Sequence, residues 1–104
     1  HDPQLFQMQA ATAFAHFFAG RYSDAVSWAE MALVERPNHV SGIRALAASC
    51  AMAGRQEEAS RAMARLRELD PALRLSSLKN VTPLRRPEDF NRLAEGLRKA
   101  GLPE

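Results

Sequence analysis

The chain has 104 residues, 46% of them hydrophobic and 25% charged, with a net charge of +2. Those proportions fit one small globular domain and exclude a disordered or collagen-like chain. The small charge gives little support to nucleic-acid binding, and no apolar run approaches the length of a membrane span.

Cys50 is the only cysteine, which excludes an internal disulfide and fits a reducing compartment, so a cytoplasmic setting is expected. Charge is unevenly placed: residues 1–71 carry seven Lys/Arg against eight Asp/Glu, a balance of −1, and residues 72–104 carry seven against four, a balance of +3. The chain opens on His1 rather than Met, and it reads as a piece of a longer protein.

The first predicted helix runs from Gln4 to Ala19, dense in Leu5, Phe6, Met8, Phe14, Phe17 and Phe18, and Gly20 stops it. Ser23 is the expected N-cap of a second helix that ends at Glu35, with Ala25, Val26, Ala29, Ala32 and Leu33 on its apolar stripe. Arg36-Pro37-Asn38 breaks the chain, because a residue before proline resists the helical conformation. A third helix covers His39 to Ala53, with Ile43, Leu46, Ala47 and Cys50 inward. A fourth covers Gln56 to Leu69, with Ala59, Met63 and Leu66 inward, and Asp70-Pro71 ends it. A shorter helix is expected over Ala72–Lys79, carrying Leu73, Leu75 and Leu78, and Asn80-Val81-Thr82-Pro83 interrupts it. Pro87 opens a last helix, with Glu88 and Asp89 at its positive end and the stripe Phe90, Leu93, Ala94 and Leu97. Lys99 suits its C-terminus, and Gly101 followed by Pro103 ends it. The expected fold is therefore all-α.

A period of 34 runs through this pattern: Pro3, Pro37 and Pro71 keep it, as do Gly20 and Gly54, Arg21 and Arg55, and Ala25 and Ala59. Laid over residues 45–71, residues 11–37 give seven identities, where an Ala-rich chain gives roughly two or three by chance. Such a period is the mark of stacked helical hairpins, each too small to bury its own apolar face. It divides the chain into residues 1–3, the end of a preceding unit; hairpins over 4–37 and 38–71; and capping helices over 72–104. Leu5, Phe6 and Met8 are then expected on an unfinished packing surface. Trp28 is read either as an exposed interface anchor or as a contact to a preceding hairpin.

Gly20-Arg21-Tyr22, Ala25, Ala32 and Pro37 in the first copy, and Ala47, Gly54, Ala59 and Pro71 in the second, resemble the tetratricopeptide repeat. The family's first-helix motif of Trp, Leu, Gly and Tyr is replaced by Gln9, Thr12, Ala13 and His16, then by Ile43, Leu46, Ala47 and Cys50. The runs AHFFAGRYSDAVSWAEMAL, RAMARLRELDPALR and PLRRPEDFNRLAEGLRKAGLPE are similar to the C-terminal region of bacterial multidomain proteins. Those carry a class III adenylate/guanylate cyclase domain ahead of tetratricopeptide repeats. The resemblance implies antiparallel hairpins in an α-solenoid with a C-terminal helical cap. It also implies a non-catalytic regulatory or assembly module of a cyclase-like signalling protein, with Tyr22 wedging the first hairpin turn. The partner implied is a protein or peptide, another part of the same polypeptide, or a second copy, with no nucleic acid and no membrane insertion.

By the same resemblance the concave groove is lined by Gln7, Ala10, Phe14 and Phe17 from the first hairpin and by Ser41, Arg44, Ala48 and Ala51 from the second. Small apolar residues dominate it, and the Lys and Asn that clamp a peptide carboxylate in some relatives are missing. An apolar helix or extended segment is the expected ligand. The competing expectation is that the groove is filled by the chain itself, through residues 72–79 or the final helix.

Catalytic, cofactor and metal residues are expected to be absent. Ser76-Ser77 with Lys79 lacks an oxyanion hole and a supporting base. Glu57-Glu58 and Glu88-Asp89 sit at helix starts, where the macrodipole accounts for them. The glycines lack phosphate-loop spacing. His16 and Cys50 fall at equivalent places, and two ligands are short of the zinc set; His1 and His39 read as surface residues. A ligand- or metal-binding domain built on His16, Cys50 and Arg44 is the alternative, and a purely structural spacer is the third reading.

Overall fold

The computed structural model describes residues 4–81 and 84–104, the side chain of Val81 apart. All regular structure among them is helical: α1 (Leu5–Phe18), α2 (Tyr22–Glu35), α3 (Val40–Met52), α4 (Gln56–Leu69), a single 3-10 turn (Leu75–Ser77), α5 (Leu78–Val81) and α6 (Pro87–Ala100). None of the helices is long and apolar enough to cross a membrane. Expectations that fall on residues 1–3, Thr82 and Pro83, including the Asp2-Pro3 boundary and the role of His1, lie outside the described residues.

The geometry recurs at a step of 34. Gly20 and Gly54 both have φ +82°, a left-handed conformation that costs a side chain about 1–2 kcal/mol. At the first turn, Gly20 N–H donates to Phe17 O (3.0 Å) and Arg21 N–H to His16 O (2.9 Å). At the second, Gly54 N–H donates to Ala51 O (3.3 Å) and Arg55 N–H to Cys50 O (2.8 Å). These paired bonds satisfy carbonyls that a helix end leaves open. Further along, His39 N–H donates to Arg36 O (3.1 Å), and 34 residues later Leu73 N–H donates to Asp70 O (3.2 Å).

Two expected details change. Ser23 is not the N-cap of α2: the turn at Gly20 delivers the chain into the helix two residues earlier, so Arg21 holds the cap position and no side chain caps it. The helix expected over 72–79 is displaced to 75–81 and begins as a 3-10 turn. Arg74 is extended (φ −138°, ψ 159°), and Ser77 Oγ holds it there by accepting from Arg74 N–H (3.2 Å) and donating to Arg74 O (3.1 Å). A hydroxyl that bonds local backbone in this way competes with the helix.

Packing centres on α3. Nine of its thirteen residues are buried, and α1, α2, α4 and α6 all lie against it. Small side chains make that possible. Ala45 joins Ala13 and Ala29 in one cluster, Gly42 meets Leu33, and Ala48 meets Gly96. Helices with such contacts approach at the short end of the 8–10 Å range. Arg65 donates to Asn38 Oδ1, which ties α4 to the turn between α2 and α3.

The placement of α6 departs from the order of the earlier helices. Of the helices that precede it, α3 packs mainly on α2 and less on α1, whereas α6 packs mainly on α3 and less on α4. It therefore lies chiefly against α3, with a smaller contact on α4. Its apolar stripe buries Leu93 and Leu97 completely, each worth about 2 kcal/mol relative to exposure. Pro87 starts it, Glu88 and Asp89 occupy its first turn, and Arg98 and Lys99 its last, in keeping with the helix dipole. After Gly101 the chain turns back. Leu102 is buried, Leu75 N–H donates to Pro103 O (2.9 Å) and Ser76 N–H donates to Glu104 O (3.2 Å).

Candidate functional site

Gln7, Ala10, Ala11 and Phe14 stand at i, i+3, i+4 and i+7, so α1 presents them on one face. His39 and Ser41, at the start of α3, complete an open depression of about 300 Å³ with them. Ala10, Ala11 and Phe14 make the lining apolar, and Gln7, His39 and Ser41 bring polar groups to it.

His39 also packs behind this depression. Its ring lies edge-on to Phe6, with centroids 4.8 Å apart, and the Arg36 guanidinium sits 4.4 Å over the other ring. Burial, and then the charges of Arg36 and Arg44, hold the His39 pKa below its usual 6.5. The imidazole is therefore predominantly uncharged at neutral pH, and the depression carries no fixed charge of its own. The cation–π contact of Arg36 joins the end of α2 to the start of α1.

The eight groove residues expected from the sequence divide into two sets. Gln7, Ala10, Phe14 and Ser41 line the depression. Arg44, Ala48 and Ala51 are buried, at 8%, 0% and 8% exposure, and Phe17 is wholly buried. These four are covered in this arrangement. α6 lies over α3, with Gly96 against Ala48, and Phe17 packs inward on Phe18 and Tyr22 at centroid distances of 5.3 and 5.4 Å. Burial lowers the Arg44 pKa, and nearby Asp70 opposes that shift.

His39 and Ala11 were not among the expected lining residues. His39 stands one period after Leu5, and both are half-buried, but Leu5 does not line the depression, so the period gave no signal for His39.

His16, Cys50 and Arg44 lie in three different surroundings. His16 Nδ1 accepts from Arg21 Nε (2.9 Å), and its ring stacks with Trp28 at 6.4 Å. Cys50 is buried in the main core, where burial and Glu58 push its thiol up to about 11. Arg44 is electrostatically coupled to Asp70. Trp28 is half-buried and packs on the cluster of Ala13, Ala29 and Ala45. Of the residues expected on an unfinished surface, Leu5 and Phe6 are half-buried and Met8 is 61% exposed. No protein-family profile matches the chain, and no curated protein matches it.

Proposed function

We propose that this chain is a protein–protein interaction scaffold of tetratricopeptide type. The observation that carries this reading is the recurrence at 34 residues of the same left-handed glycine, the same paired turn bonds and the same inter-hairpin bond. Two stacked hairpins bring α1 and α3 together, and the depression between Phe14 and Ser41 is the part of that shared face left open. Its apolar lining suits an apolar side chain on a partner helix or extended segment.

The similarity of residues 83–104 to the closing segment of cyclase-like proteins adds a context. In it, the chain is the cytoplasmic, non-catalytic assembly module behind a cyclase domain. The experiment is a Phe14→Asp substitution in such a parent protein, followed by sedimentation and cyclase assay. Loss of assembly or of regulation, with helical content kept, is the expected result. Unchanged assembly and unchanged activity, in that variant and after deletion of residues 1–104, would sink the reading.

A further inference from the structure

We infer that α6 is a self-ligand: it holds the place on α3 that a partner's amphipathic helix takes, and the two exclude each other. The inference rests on the scaffold reading above. Three observations support it. First, α6 does not continue the stacking order, since it packs mainly on α3 rather than on α4. It thus covers Ala48 and Ala51, touches α1 at Phe18, and leaves open the depression lined by Gln7, Ala10 and Phe14.

Second, α6 has the form of a groove ligand. It is amphipathic, with Leu93, Gly96, Leu97 and Ala100 buried and Glu95, Arg98 and Lys99 exposed. That is the spacing by which a helix is read in a groove. The fit at its centre is selective. A Cβ placed on Gly96 would lie 3.1 Å from Ala48 Cβ, 3.1 Å from Ala48 O and 3.2 Å from Ala48 Cα. A competing helix fits best with a glycine at that crossing, with leucine three residues before it and one after, so the face favours a Leu-x-x-Gly-Leu helix.

Third, two side-chain hydrogen bonds tie α6 to α1 and α4 among the described residues. Arg92 Nη1 donates to Phe18 O (2.8 Å), and Gln56 Nε2 donates to Lys99 O (3.0 Å). The ion pairs Lys99–Glu95 (3.7 Å) and Arg86–Glu88 (2.9 Å) stay within α6 and its lead-in. Contact with the hairpins is therefore carried mainly by apolar packing, which another helix of the same pattern can reproduce.

The test has two arms. Hydrogen exchange on the whole chain is expected to show the amides of α6 opening as a unit ahead of α3 and α4. Exchange of α6 only together with α3 would overturn the inference and leave the scaffold reading standing, because the Phe14 depression is open without any movement of α6. In the second arm, a labelled peptide of residues 84–104 is added to the whole chain and to its Gly96→Leu variant. The variant is expected to bind the peptide at least about tenfold more tightly, since its own helix no longer occupies the site. Equal binding by the two, with the variant's helical content and cooperative melting intact, would overturn the inference. If Gly96→Leu does not melt cooperatively, Gly96→Ala takes its place, with an expected gain of about fivefold, and equal binding again overturns the inference.

Discussion

Gly96 and Ala48 meet where α6 crosses α3, and a methyl group on Gly96 would fit only if one helix gave way by a few tenths of an ångström. The nearest atoms include the carbonyl oxygen and Cα of Ala48 as well as its Cβ, all within 3.2 Å of the added carbon. Two effects oppose each other in Gly96→Ala. Helix propensity favours alanine by about 1 kcal/mol, and overpacking against fixed backbone costs about 1–3 kcal/mol. The steric effect wins, because a helical carbonyl cannot rotate away. Thermal or urea unfolding is expected to show a net loss of about 1 kcal/mol, and a gain in stability would mean that α6 can move out at no cost.

The turns at Gly20 and Gly54 give a matched pair. Both have φ +82°, and a Cβ at either would meet nothing within 4 Å. The cost of Gly20→Ala or Gly54→Ala is thus conformational alone, about 1–2 kcal/mol. The two substitutions should agree within about 0.5 kcal/mol by chemical denaturation and should add in the double variant. A large difference between them would show that the two turns are not equivalent in solution.

Ser49 is fully buried in α3, and its hydroxyl has no hydrogen-bond partner among the described residues. A buried unsatisfied hydroxyl costs about 1–3 kcal/mol. Ser49→Ala also raises helix propensity and loses little volume. The variant is expected to be more stable than the parent by about 1 kcal/mol, measured by the shift of the urea midpoint at constant slope. A loss of stability would point to a bond or a water that the hydroxyl makes in solution.

His39 sets a pH dependence. Its pKa in the folded chain is below the usual 6.5, so between the two values the unfolded chain binds more protons. The stability contribution of neutral His39 is complete above about pH 6.5 and falls as pH drops through the lower, folded value. The difference in stability between the parent and His39→Asn should therefore shrink as the pH is taken from about 7 to about 5. A constant difference across that range would mean that burial, with Arg36 and Arg44, does not lower the His39 pKa.

Helix positions were largely legible in the sequence because their signals are local. Gly20 and Gly54 each reverse the chain through one left-handed residue, and Arg36 and Asp70 leave the helical region just before proline. The misread details are also local, but they depend on competition. Ser23 loses the cap position because the turn at Gly20 is already complete, and Ser77 bonds Arg74 instead of letting a helix begin at Ala72. The site was half legible. Gln7, Ala10, Phe14 and Ser41, which the family resemblance assigned to one groove, line one depression, but nothing in the spacing says that α6 settles on α3 rather than on α4. That choice depends on the fit of Gly96 to Ala48, two residues 48 apart in the chain.

The return of the C-terminal tail has a consequence for how residues 75–104 can be altered. The bonds from Leu75 and Ser76 N–H to the carbonyls of Pro103 and Glu104 turn this third of the chain into a ring fastened at its mouth. Both fastenings are main chain to main chain. A change of side chain leaves their donors in place, and only proline at 75 or 76 removes one. The latch is thus indifferent to most sequence drift, whereas the glycine it helps hold against α3 is not.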